Sequence, residues 1–347
     1  MKIDLTLLQK EIDDGWVSVS KHPTLPLSIY KYTIATPFAR HWNDITTLCR
    51  GIVLDDSGNV IVNAIPKFYN HNDPCAELES KTGLDYVVTD KADGSLVQVA
   101  LYNDNLIVTS SGSFVSPQVQ KALSLIKLHN FNFMDGYTYV FEIIYPENRI
   151  VLDYGDTERM ILITIRDNKT GQELNAWESD FLDTVKPITL SIDTIVKELK
   201  RPDYINKEGY IVKFSDGSRV KFKYDEYLRL HTVVSGVNEK WLWGLLVKGQ
   251  SYNDFLNNIP DELFDWCENY TNNLKDQYLV IENYCEEVYE KLITLSLNRK
   301  EFADKVITYH KNMAYILFLM YDNDDYSEAI WKSLYPEKIT NFGRGDG

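Results

Sequence analysis

Alternating apolar and polar residues dominate the first two thirds of the chain, with turn residues between the runs. Gly51 to Leu54 and Val60 to Ile65 flank Asp55-Asp56-Ser57-Gly58-Asn59, which predicts a strand, a turn and a second strand. Tyr86 to Thr89, Ser95 to Tyr102, Leu106 to Ser110, Met160 to Arg166 and Gly209 to Phe214 read the same way. Asp216-Gly217 turns the last of these into Arg219 to Lys223, a tight hairpin. Ser116-Pro117 is an N-cap followed by proline at the first helical position, so a helix is expected to run to about His129. Helical spacing also marks Trp177 to Val185 and Ile192 to Lys200.

From about Asp225 the pattern changes. Tyr227 to His231, Ile281 to Ser296, Phe302 to Met320 and Tyr326 to Leu334 carry helical spacing with few strand signals, and Ser251 to Asn258 reads as helical or irregular. The expectation is an α+β fold in two domains, an antiparallel-sheet domain over residues 1–238 and an all-helical C-terminal domain over 239–347. A chain of 347 residues is long enough for two such cores.

Composition narrows the class. Hydrophobic residues make up 44% and charged residues 25%, as in ordinary globular proteins. No apolar run approaches the length of a membrane span and the N-terminus lacks a signal-peptide pattern, so a cytoplasmic protein is expected. Cys49, Cys75, Cys267 and Cys285 lie far apart without metal-type spacing and are expected to be free thiols. A net charge of −15 argues against broad electrostatic adhesion to nucleic acid. Any phosphate-binding surface must be a local cluster on an acidic body.

Such a cluster is visible. Lys91-Ala92-Asp93-Gly94 follows a predicted strand. A lysine amine can serve as a nucleophile once neighbouring cations, desolvation or a bound phosphate make it neutral, and Gly94 would let the backbone approach a nucleotide closely. The four residues alone are a weak pattern, and a surface lysine before a turn is the bland alternative. Glu142 ends the apolar stretch Tyr137 to Phe141, where a carboxylate needs a partner. A ligand hydroxyl or an internal pairing with Arg149 would each serve. Glu208 stands just before a strand, where it could hold a hydrated Mg²⁺ beside a triphosphate, or be a solvated turn residue. Lys221 and Lys223 alternate with Phe222 and so share one strand face. An anion such as an α-phosphate between them would relieve their repulsion, and Arg50 and Lys67 would add charge for outer phosphates.

Taken in order, these segments resemble the bacteriophage RNA ligase 1 family, within the covalent nucleotidyltransferase superfamily. The resemblance rests on Cys49-Arg50-Gly51, Pro66 to Asn70, Lys91 to Val97, Phe141-Glu142, Glu147 to Leu152, Glu208-Gly209-Tyr210 and Lys221-Phe222-Lys223. It covers about residues 45 to 235. It implies an ATP-dependent RNA ligase with an adenylylation domain, joining 5′-phosphate and 3′-hydroxyl RNA ends through a lysyl-AMP and an adenylylated RNA. Lys91 would be the nucleophile, with Glu208, Lys221 and Lys223 as further catalytic residues. Arg50, Lys67, Glu142, Lys221 and Lys223 would bind ATP, with Val212 or Ile163 packing on the adenine. Glu208 and Asp93 would serve Mg²⁺ or Mn²⁺. RNA, with nicked tRNA as a candidate, is the implied partner, and a monomer is expected. Two departures stand out: Ala92 replaces an acidic residue, and Thr109-Ser110-Ser111-Gly112 lacks the basic residue that relatives carry before the glycine.

Other readings compete. A DNA ligase or capping-type nucleotidyltransferase would append a β-barrel after Lys221 to Lys223, where this chain turns helical. A nucleotide- or RNA-end-binding pseudo-ligase would lack the key lysines and acids, which are all present here. A phosphate-loop kinase would need Gly-x-x-x-x-Gly-Lys, which does not occur.

Overall fold

Short apolar runs separated by Asp, Asn and Gly turns give the first part of the chain its strands. The structure, a computed structural model, describes residues 3–181, 183–201, 206–250 and 261–336. It divides into two units, residues 1–234 and 235–347.

In the first unit, helix α1 (Leu5–Asp13) is capped by Asp4, whose carboxylate accepts the backbone N–H groups of Thr6 and Leu7. An antiparallel sheet follows, in the order β1 (Val17–Lys21), β2 (Leu27–Tyr32), β3 (Arg50–Asp55) and β4 (Val60–Val62), with the short helix α2 (Ala35–Phe38) between β2 and β3. The Asp55 carboxylate accepts from the N–H groups of Ser57 and Asn59, which fixes the predicted turn.

Two five-stranded sheets carry the centre of the unit. Their strands are β5 (Tyr69–Asn70), β6 (Tyr86–Lys91), β7 (Ser95–Tyr102), β8 (Asn105–Ser110), β9 (Tyr137–Ile144), β10 (Arg159–Asp167), β11 (Glu173–Asn175), β12 (Pro187–Ile188), β13 (Gly209–Phe214) and β14 (Arg219–Lys223). One sheet has the order β11-β10-β9-β7-β8 and the other β12-β6-β13-β14-β5. All pairs in them are antiparallel except β14 with β5. Each sheet buries one face under helices. Helix α3 (Pro117–His129) packs Val119, Ala122, Leu125 and Ile126 against Val97, Val99, Tyr139 and Phe141. Helices α4 (Ile192–Glu198) and α5 (Asp225–Ser235) cover Val88, Tyr210, Val212, Val220 and Phe222 with Ile195 and Tyr227. On its other face the β7–β8 hairpin packs Ala100 and Ile107 against Leu27, Ile29, Val53 and Val62 of the first sheet.

The helix predicted from Ser116-Pro117 forms as α3, with the Ser116 hydroxyl accepting from Val119 N–H. The helix expected over Trp177 to Val185 does not form. Ala176–Glu178 makes a single tight turn. Beyond it the backbone bonds to β10 instead, Leu162 N–H to Asp183 O and Val185 N–H to Leu162 O. Phe181 and Val185 then join the core under α3. Tertiary burial of those apolar residues overrides their helical spacing.

Among the described residues of the second unit, every regular element is helical: α6 (Glu239–Val247), α7 (Asp261–Ile293), α8 (Arg299–Tyr309), α9 (Ala314–Asp322) and α10 (Ser327–Ser333). Cys285, Phe302, Val306, Leu317 and Ile330 form its core. The helical pattern over Phe302 to Met320 is broken at His310, where one tight turn, Lys311–Met313, separates α8 from α9. Ser251 to Asn258 lies outside the described residues. No helix is long and apolar enough to cross a membrane among those described. All four cysteines are free thiols.

Candidate active site

Lys91 is the last residue of β6, and the chain then crosses from one central sheet to the other through Ala92, Asp93 and Gly94. The Lys91 ammonium donates to Glu208 Oε2 at 2.7 Å, and Lys223 Nζ lies 3.2 Å from Glu208 Oε1. Both lysines therefore share one carboxylate that is only 3% exposed. The register explains the meeting, because Gly209 on β13 is opposite both Lys91 on β6 and Lys223 on β14. Lys221 is two residues along the same face, opposite Ile211 and beside Asn70 on β5. The Asn70 side-chain oxygen is buried without a hydrogen-bond partner among the described residues.

Glu142 on β9 faces this group from the other sheet. It accepts from Gly94 N–H at 3.2 Å. Burial pushes its carboxyl up to about 7 against the pull of Lys91, with Glu208 raising it further and Arg50 lowering it. The internal pairing with Arg149 is not made, since Arg149 pairs with Asp153 at 2.9 Å on the surface. Arg50 opens β3 with its guanidinium 5.0 Å from the centre of the Phe68 ring. The Lys67 ammonium lies 5.1 to 5.8 Å from the ring centres of Trp42, Tyr69 and Tyr32.

Three expectations change in detail. Both oxygens of the Asp93 carboxylate, the expected metal ligand, are already engaged within the protein. Oδ2 accepts from Val151 and Leu152 N–H at 3.0 and 2.8 Å, and Oδ1 from the Tyr227 hydroxyl at 2.8 Å. The side chain anchors the loop that follows Lys91. Val212 points away from Lys91 into the apolar core and is fully buried. Strand alternation puts its neighbour Ile211 on the lysine face instead, opposite Thr89 and Lys221. Gly94 is needed for packing inside the protein, because a Cβ there would lie 2.4 Å from the Ile143 carbonyl oxygen.

A further cluster escaped the sequence reading. Glu173 on β11 holds Arg166 of its own sheet and both Lys213, at 2.7 Å, and Arg219 of the other. Burial alone would raise its carboxyl. The hydrogen bonds and charge of Arg219, then Arg166 and Lys213, pull it to about 2. This knot ties the two central sheets together, toward the end of β13 away from Lys91.

A family model described as RNA ligase matches residues 48–227, a stretch that contains Arg50, Lys67, Lys91, Glu142, Glu208, Lys221 and Lys223. The chain belongs to the RNA ligase family. The ligase is 27% identical over 285 residues to a candidate RNA ligase of Thermovibrio ammonificans, covering 76% of this chain and 72% of that one. Among solved structures it is similar to a candidate ATP-dependent DNA ligase from Aquifex aeolicus, with a TM-score of 0.48 and 15% identity over 93% of this chain and 88% of that one. An archaeal ATP-dependent RNA ligase matches with a TM-score of 0.47 and 14% identity over 76% and 70% of the two chains.

The hairpin that aligns the ligase's lysines allows no side chain at residue 209. A Cβ on Gly209 would fall 1.9 Å from the Phe222 carbonyl oxygen, so alanine would pry β14 from β13 and carry Lys223 away from Glu208. Gly209→Ala is expected to slow RNA joining about 100-fold or more, the scale of a reacting group misplaced by about an ångström. Near-normal joining rates with circular dichroism unchanged would show that the hairpin register is not what holds the site.

Proposed function

We propose that this RNA ligase joins RNA ends with ATP by way of a covalent lysyl-AMP on Lys91. The observation that carries the reading is the Lys91–Glu208–Lys223 arrangement, in which a lysine amine stands beside a second cation across one buried carboxylate. Lys91 would attack the α-phosphorus as a neutral amine. The new N–P bond forms as the bond to pyrophosphate breaks, and the displaced proton needs an acceptor. Glu208 is the carboxylate recorded within hydrogen-bond distance of that amine among the described residues. Lys221 and Lys223 would balance charge growing on the α-phosphate, which is the largest contribution protein groups make to phosphoryl transfer. Glu142, in electrostatic reach of Lys91, would orient the nucleoside, and Ile211 would lie against the base.

A divalent cation would be held by Glu208, water and phosphate oxygens once Lys91 has turned from Glu208 Oε2 toward the nucleotide. Mg²⁺ or Mn²⁺ at Glu208 would supply positive charge to the triphosphate. The AMP would then pass to an RNA 5′-phosphate, and a 3′-hydroxyl would displace it. Residues 1–238 would carry this chemistry, and the helical residues 239–347 would serve RNA choice.

Incubation with α-labelled ATP or GTP and a divalent metal, followed by denaturing electrophoresis, tests the reading. Label from ATP should stay on the protein and move to 5′-phosphorylated RNA, with linear RNA and nicked tRNA compared as acceptors. Label from GTP alone would replace this reading with capping-type transfer. Absence of label from both would favour a binding protein.

A further inference from the structure

Lys31 lies near the end of β2, and its partner across the sheet is Arg50. A register shift between Tyr30 and Lys31 leaves Gly51 outside the pairing, so the two cations stand opposite each other on one face. The Lys31 stem lies over Gly112, where a Cβ would come within 2.6 Å of Lys31 Cδ. Neither Lys31 nor Arg50 has an ion pair among the described residues. Burial, and then the charge of Arg50, hold the Lys31 ammonium below the ordinary lysine value. Arg50 in turn reaches Glu142 electrostatically, as Lys91 does. The ring of Tyr32, next to Lys31 in the chain, lies under the Lys67 ammonium.

Two half-buried like charges in strand register are unfavourable by themselves. Among the described residues nothing acidic offsets them at ion-pair distance, and the adjacent Thr109-Ser110-Ser111-Gly112 contributes no charge. We propose that Lys31 is a phosphate-binding residue of the ligase, seating a phosphate group with Arg50 beside the Lys91 site. This rests on the reading above for the identity of the phosphate. Two sources carry the same chemistry: the outer phosphates of ATP and the 5′-phosphate of an RNA end.

The test uses the full chain and the variants Lys31→Ala, Lys31→Arg and Gly112→Ala. Gly112→Ala pushes the flexible lysine stem aside without removing its charge. Three quantities are measured: the ATP concentration dependence of self-labelling, AMP transfer from pre-labelled enzyme to 5′-phosphorylated RNA, and calorimetric binding of inorganic tripolyphosphate. Lys31→Ala is expected to raise the KM for ATP or for RNA at least tenfold with a smaller change in kcat. Lys31→Arg should restore most of the loss, and Gly112→Ala should fall between. A rise for ATP assigns the outer phosphates, and a rise for RNA alone assigns the RNA end. If all three quantities match the parent protein in Lys31→Ala, the proposal is overturned. If the parent protein never self-labels, the lysyl-AMP reading fails separately, and loss of tripolyphosphate binding in Lys31→Ala would still support the phosphate site.

Discussion

Lys91→Ala is expected to abolish covalent nucleotide attachment and to leave the protein folded. The amine is the bond-forming atom in the proposed first step, so its removal should cost about 10⁴-fold or more in rate. The fold should survive because Glu208 would not be left as an unpaired buried charge. Lys223 remains 3.2 Å from its second oxygen. The β6 backbone, paired with β13 from Tyr86 to Lys91, is untouched. Lys91→Arg should be equally inactive, since a guanidinium does not lose its proton in a protein. The check is label on the denatured protein together with a thermal melt. Label persisting on Lys91→Ala would move the nucleophile elsewhere, and loss of label through unfolding would show in the melt.

Glu173→Ala should have the largest effect on stability. It would leave Arg166 and Arg219, both buried, facing each other and Lys213 without their shared carboxylate. Breaking a buried ion network by removing one partner costs about 3–5 kcal/mol. The same network sets an acid limit. Glutamate in the unfolded chain keeps its ordinary value of 4.5, whereas the folded value is about 2. The unfolded chain therefore binds the proton more readily. The contribution, about 3 kcal/mol, is complete above roughly pH 5 and is lost as pH falls toward 2. Urea titrations at pH 7 and pH 3 measure both effects. The variant should be much weaker than the parent at pH 7, and the gap should narrow at pH 3. An equal gap at both values would mean that the carboxylate charge is not what holds the sheets.

Spacing alone gave one pair of the site, and the ordered resemblance gave the rest of its candidates. Strand alternation set Lys221 and Lys223 on one face, and the structure brings Lys223 to the carboxylate that Lys91 uses. The same argument could have reached Ile211. The Asp216-Gly217 turn sets the β13–β14 register, and that register places residue 211 opposite 221 and leaves Val212 on the far side. What spacing could not supply was the pairing of elements distant in sequence. Asp93 looked like a metal ligand because its partners, the Val151 and Leu152 amides and the Tyr227 hydroxyl, lie 58 to 134 positions away. Glu173 gave no signal, since only the fold sets β11 against Arg219. Lys31 gave no signal, since only the β2–β3 register brings it to Arg50. In the helical unit, periodicity found the helices beyond Ile281 but missed α6, the first half of α7 and the break at His310.

The site gathers Lys91, Lys223 and, on the neighbouring sheet, Lys31 and Arg50 in a molecule whose net charge is −15. At physiological salt a charge is felt over about 8 Å, so these cations act on what has entered the site and little beyond it. In the proposed function such a cluster would hold an RNA terminus by its phosphate. Once two termini have become one phosphodiester, the grip weakens, because a terminal phosphate group has lost charge. The net negative charge of the molecule would then disfavour holding the intact strand. Turnover is thereby favoured over retention, and joined RNA should be a poor competitor of broken RNA.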